Sequence, residues 1–93
     1  MRTCARNDAV RLLRVINMTQ SHGSVGARVV PVEAAREAWL EPETDRYDEA
    51  LWYLLWQGAL AADVDMLAAP VGRPFGYSSY ILTSAAVRML EEQ

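Results

Sequence analysis

Lysine is absent from the 93-residue chain, and cysteine, histidine and phenylalanine occur once each. The single cysteine, Cys4, cannot form a disulfide within the chain, and with only His22 beside it no Cys/His zinc site can be assembled. No segment approaches the ~20 apolar residues that a membrane span requires, and the first residues lack the apolar stretch of a signal peptide. These absences predict a cytoplasmic protein without metal or other cofactor, and they exclude a membrane from the expected partners.

The overall charge of the chain does not indicate a basic surface. All nine basic residues are arginine, and the net charge is −3. A nucleic-acid-binding protein normally carries a basic field that attracts phosphates before specific contacts form. The composition therefore gives no electrostatic support for such a role, while the use of arginine alone together with abundant alanine is typical of a GC-rich bacterial coding sequence.

Catalytic motifs are missing as well. His22 lies in a segment of glycine and serine, with no Asp or Cys at a motif spacing. No glycine-rich phosphate loop follows a strand-like segment. The sequence predicts a protein that is not an enzyme.

A length of 93 residues with 52% hydrophobic residues fits one domain. A chain of this size buries roughly 60–65% of its unfolded surface, which is enough for one core without disulfides. We expect a single domain over residues 1–93, with residues 1–6 as a flexible tail.

Hydrophobic periodicity predicts three helices and a short strand in the first two thirds of the chain. The first helix is expected from Asn7 to about Ser21, capped by Asn7 or Asp8, and a loop with two glycines follows it. A strand over residues 28–30 leads through Pro31 into a second helix over residues 32–40, and a third helix starts at Pro42 and ends near Gly58 as its C-cap. The expected core positions of these helices are Ala9, Leu12, Leu13, Ile16, Ala34, Ala35, Ala38, Tyr47, Ala50, Leu51 and Leu54, with Leu55 at the edge.

The remaining residues predict a hairpin and a last helix. Residues 59–64 and 77–82 can each be extended, and the segment between them carries two prolines and two glycines, which is typical of a long hairpin loop. Thr83 is placed to cap a final helix to about Glu92, whose inward residues would be Ala86, Met89 and Leu90.

This order of elements, helix-strand-helix-helix-hairpin-helix, resembles the winged helix-turn-helix domains of bacterial transcription regulators. Three local patterns are similar to that family: AAREAWLEP at residues 34–42, LLWQGAL at 54–60 and YILT at 80–83. Trp39 departs from the pattern, because such turns usually have glycine there. The resemblance implies a small α+β domain, α/β in the broad sense, and a function in transcription regulation by binding double-stranded DNA.

Under the DNA-binding hypothesis, Arg73 is the residue placed like a wing-tip contact to a minor groove. Arg46, Arg36, Arg28 and Thr44 would supply the other contacts to DNA. A further group of arginines lies at the start of the chain and on the outer face of the first helix, where a solvated helix face is the default interpretation. That group consists of Arg2, Arg6, Arg11 and Arg14.

The alternative hypothesis is a protein-interaction or dimerisation module that keeps this fold without binding DNA. The outward face of the third helix combines acids, such as Asp45 and Glu49, with large aromatic side chains, and this is unsuited to phosphates and bases. Aromatic residues are the usual anchors of protein interfaces, and a homodimer is the commonest case. The predicted interface residues are Trp52, Trp56, Tyr53, Met66 and Leu67.

Overall fold

A computed structural model of the chain describes residues 3–42, 44–62 and 79–92. Within these residues four α-helices pack with a three-stranded antiparallel sheet to form a small α+β domain. No described helix has the length and apolar character needed to cross a bilayer. The elements are α1 (Thr3–Ile16), a π-helical turn (Asn17–Ser21), β1 (Arg28–Val29), α2 (Pro31–Ala35), α3 (Asp45–Trp56), β2 (Leu60–Ala62), β3 (Tyr80–Leu82) and α4 (Ser84–Glu91).

The sheet has β3 at its centre, antiparallel to β1 on one side and to β2 on the other. Tyr80 pairs with Val29 of β1 and with Ala62 of β2, so β3 joins the strand before α2 to the strand after α3. The pairing of β2 with β3 confirms the predicted hairpin. Its predicted loop, residues 65–76, lies outside the described residues.

Helix α1 begins at Thr3, so residues 3–6, predicted as part of a tail, are helical. The predicted cap at Asn7 or Asp8 is therefore wrong, because both residues lie inside the helix. After Ile16 the helix widens into the π-helical turn, and His22 ends it with a left-handed backbone at φ 48°. In this turn Gln20 holds the start of α2, since its side-chain amide donates to the Val30 carbonyl at 3.0 Å and accepts from the Val30 N–H at 2.6 Å.

The core lies between α1, α3 and the sheet. The predicted inward faces of α1, α3 and α4 are confirmed. Leu55, Met89 and Leu90 are partly buried and pack at the edge of the core. Burying a leucine-sized side chain is worth about 1.5–3 kcal/mol, so this cluster dominates stability. Its members are Ala9, Leu12, Leu13, Ile16, Val29, Ala34, Ala35, Ala38, Leu40, Tyr47, Ala50, Leu51, Leu54, Ala59, Leu60, Tyr80, Leu82 and Ala86.

The end of α3 is tied to the start of α4. Gly58 has φ 74°, and the Ala59 N–H bonds the Leu54 carbonyl at 2.9 Å. The C-cap residue is Gln57, so the predicted glycine ends the helix in left-handed backbone one position later. Thr83 stands at the N-cap position of α4 with extended backbone, but its side chain caps no N–H there. Instead its hydroxyl donates to the Gly58 carbonyl, so the predicted capping bond is replaced by a link between the two helices.

The corner between α2 and α3 depends on Trp39. The regular helix ends at Ala35 and a helical turn continues to Trp39, whose φ is 63°. The Leu40 N–H bonds the Ala35 carbonyl at 2.9 Å and the Trp39 N–H bonds the Arg36 carbonyl at 3.1 Å, the two bonds of a Schellman motif. Trp39 thus adopts the left-handed backbone geometry that glycine usually has at such a corner.

We expect Trp39→Gly to raise the free energy of unfolding by about 1 kcal/mol, because a residue with a Cβ is strained in left-handed backbone. Little packing is lost, since the ring is 81% exposed. Trp39→Ala removes the same ring and keeps the Cβ, so its stability should stay within about 0.5 kcal/mol of the wild type. Urea denaturation of both variants checks this, and equal stability of the glycine and alanine variants would contradict it.

Candidate interaction surface on the third helix

Helix α3 starts at a defined position because Thr44 caps it. The Thr44 hydroxyl accepts from the Tyr47 N–H at 3.3 Å and donates to the Glu41 carbonyl at 2.7 Å. Asp45 and Asp48 occupy the first turn, where carboxylates complement the helix dipole. The predicted start at Pro42 is therefore three residues too early.

The outer side of α3 carries one stripe of four residues, Asp45, Glu49, Trp52 and Trp56, which we call the α3 stripe. The spacings of four, three and four residues place them on a single line along the helix. Trp52 is 47% exposed and Trp56 is 74% exposed, while the opposite side of the helix is buried. The stripe is thus acidic in its N-terminal half and aromatic in its C-terminal half.

Arg46, the one basic residue of α3, is bonded to a buried carboxylate on α1. Its Nε donates to Oδ2 of Asp8 at 2.7 Å, and its Nη2 donates to Oδ1 at 2.9 Å. The Asp8 side chain is 2% exposed. This bidentate geometry is the strong form of a charge-assisted hydrogen bond, so it fixes α3 against α1.

A second arginine completes the group around Asp8. Arg11 donates from Nη2 to Oδ1 of Asp8 at 2.9 Å and from Nε to the Ala38 carbonyl at 2.6 Å. Arg11 is half-buried, so its expected place on a solvated basic face is wrong. Hydrogen bonding from Arg46, and attraction by both guanidinium groups, hold the pKa of Asp8 below its usual value despite the opposing effect of burial.

We call Asp8, Arg11 and Arg46 the Asp8 cluster. Sequence reasoning missed it, although one signal was present: Asp8 lies one turn before Leu12 on the apolar side of α1. A carboxylate at a core position of an amphipathic helix indicates a buried ion pair.

The residues of the DNA-binding hypothesis are scattered over different elements. Arg28 is exposed on β1, and Arg36 is exposed in the turn after α2, 4.0 Å from a carboxylate oxygen of Glu41. Arg46 belongs to the Asp8 cluster and Thr44 is the cap of α3. Arg73 lies outside the described residues.

The residues of the interface hypothesis fall in part on the α3 stripe. Trp52 and Trp56 are exposed there, while Tyr53 is half-buried and packs against the core. Met66 and Leu67 lie outside the described residues.

Two buried tyrosines lie on the other side of α3. The hydroxyls of Tyr47 and Tyr80 have no hydrogen-bond partner among the described residues. Burial raises the pKa of Tyr80 to about 12, with a further contribution from the charge of Asp48. Burial raises the pKa of Tyr47 even further, helped by the charges of Tyr80 and Asp48.

Comparison of the chain with protein-family models, curated proteins and solved structures gives no significant match. The order of the elements and the chemistry of the α3 stripe are therefore the features that bear on function.

Proposed function

We propose that the chain is a winged helix-turn-helix module that binds a protein partner through the α3 stripe. The order helix, strand, helix, helix, two strands, helix supports this fold, as does the sheet order with β3 between β1 and β2. The tight left-handed corner at Trp39 supports a helix-turn-helix formed by α2 and α3. In that arrangement α3 is the recognition helix.

One observation carries the function: α3 presents carboxylates and indole rings outward while its one cation is bonded to Asp8. Phosphates repel such a surface, because contact to a DNA backbone needs Arg, Lys or neutral donors. Exposed tryptophans, in contrast, are among the residues that most often dominate binding energy in protein interfaces. The recognition helix is therefore suited to a protein surface.

Selection of peptides from a random display library on the immobilised full chain tests this function. We expect selected peptides to lose at least about tenfold in affinity for the Trp56→Ala variant, as for an interface anchor. Met18→Ala is the matched control, because Met18 is an exposed apolar side chain on a different element, the π-helical turn. It should bind the peptides as the wild type does.

Selected peptides that bind Trp56→Ala and wild type equally would contradict the proposal. Circular dichroism of both variants excludes unfolding as the cause of a loss. Since Trp56 is 74% exposed, its removal leaves the core intact.

Binding of double-stranded DNA is the second candidate, favoured by the element order and by the exposed Arg36 next to the helix-turn-helix corner. If DNA is bound in this way, Arg36→Ala and Arg73→Ala should each lower the slope of log affinity against log salt by about one unit. Binding titrations at several salt concentrations measure that slope. An unchanged slope in both variants would remove these arginines from the DNA contact.

A further inference from the structure

The α3 stripe has the dimensions of a single segment of polypeptide. With 1.5 Å per residue, the distance along the helix from Asp45 to Trp56 is about 16 Å. A fully buried tryptophan contributes about 150–250 Å², so the exposed parts of Trp52 and Trp56 offer on the order of 200–300 Å². A standard interface buries about 800 Å² on each side. The aromatic area is well below that value, so its size fits contact with one helix or one extended segment.

A second copy of this chain is a poor occupant of the stripe. Two α3 helices related by a two-fold axis run antiparallel or parallel. In the antiparallel case the carboxylates of one copy face the indole rings of the other, whose faces carry negative partial charge. In the parallel case carboxylates face carboxylates, and the net charge of −3 on each copy adds repulsion.

A cationic segment complements both halves of the stripe. Arg or Lys pairs with the carboxylate of Asp45, which is exposed at the first turn of α3. Cations also bind well over indole faces, and apolar side chains cover the remaining ring area. Glu49 and Trp52 take part in interactions within the chain as well, so Asp45 and Trp56 are the positions to test.

We propose that the α3 stripe binds a basic amphipathic segment of a different protein, with cations toward Asp45 and apolar side chains toward Trp56. This inference rests on the proposed function and adds the chemical class of the partner. Binding is therefore expected to weaken with salt, because a charge pair at an exposed site is screened.

The test uses a labelled synthetic peptide of about 16 residues made of leucine, arginine and glutamine in amphipathic order, long enough to cover the stripe. A matched peptide has glutamate in place of every arginine. Anisotropy with the full chain should show the basic peptide binding at least about tenfold more tightly than the acidic one. Asp45→Asn should weaken the basic peptide about threefold to tenfold, whereas Glu91→Gln, an exposed acid on α4, should leave its affinity unchanged.

Four results would overturn the inference. Equal affinity for both peptides, or equal weakening by Asp45→Asn and Glu91→Gln, would show that no specific cation site exists. Display-selected peptides that need Trp56 but carry no cations would refute this inference and leave the proposed function standing. A dimer in light scattering that becomes a monomer on Trp56→Ala would assign the stripe to self-association.

Discussion

Replacing Asp8 with alanine is expected to lower the free energy of unfolding by about 2–3 kcal/mol. The substitution removes the acceptor for two bonds from Arg46 and one from Arg11. Breaking a buried ion pair costs more when the remaining charge stays buried. Here the Arg46 side chain is 59% exposed and can hydrate again, so the loss is at the lower end of the range for buried pairs.

Urea denaturation measures this loss, with Glu91→Ala as the control for an exposed acid, expected within about 0.5 kcal/mol of the wild type. The double variant Asp8→Ala with Arg46→Ala should be clearly less destabilised than the sum of the single variants, because the two side chains act together. An Asp8→Ala variant as stable as the control would contradict the structural role of the cluster.

The same substitution has a defined pH dependence. The pKa of Asp8 is lower in the folded protein than in the unfolded chain. The stability that ionised Asp8 gives the fold is therefore fully present above about pH 4, which is near the pKa of an aspartate in the unfolded chain. It is lost as the pH falls through the lower pKa of the folded state. The stability difference between wild type and Asp8→Ala should consequently shrink in acid, and a constant difference down to about pH 2 would contradict the pKa shift.

The second large effect is expected from the buried tyrosines. The double variant Tyr47→Phe with Tyr80→Phe should be more stable than the wild type by about 1–3 kcal/mol, because it removes two buried hydroxyls that have no partner in the described part of the chain. The control is Tyr53→Phe, since that side chain is half-buried. It should change stability by less than about 0.5 kcal/mol.

Alkaline pH should widen the difference. Because both pKa values are raised in the folded protein, the unfolded chain loses its phenol protons first. Ionisation therefore leaves the stability of the wild type unchanged below about pH 10 and lowers it as the pH rises toward about 12. The phenylalanine variant lacks these groups and should keep its stability further into the alkaline range. A double variant less stable than the wild type at neutral pH would show that the hydroxyls have partners after all.

The sequence predicted most of the core because periodicity reports burial directly. The apolar faces of α1 and α3 follow from the spacing of their residues, and the pairing of the hairpin strands follows from two extended segments separated by prolines and glycines. The helix starts were less predictable, because several residues near them can serve as caps. Thr44 caps α3 where Pro42 looked suitable, and Asp8 looked like a cap but is held inside the protein by Arg46.

The site was predictable only in part. Wheel geometry placed Trp52 and Trp56 outward correctly, since exposure of a helix face follows from its period. The contact between Asp8 and Arg46 joins residues 38 positions apart, and no local pattern encodes such a pairing. For that reason Arg46 was counted as a DNA contact, whereas the structure bonds its guanidinium to Asp8.

Titration of a fluorescent mixed-sequence DNA duplex with the wild-type chain, by anisotropy over a salt series at fixed pH, tests whether α3 faces DNA or a protein. Because α3 presents carboxylates and indole rings outward, we expect no binding even at low salt. If the logarithm of the affinity falls linearly with the logarithm of the salt concentration, the chain has a surface that contacts DNA phosphates. That result would contradict a recognition helix built for a protein partner.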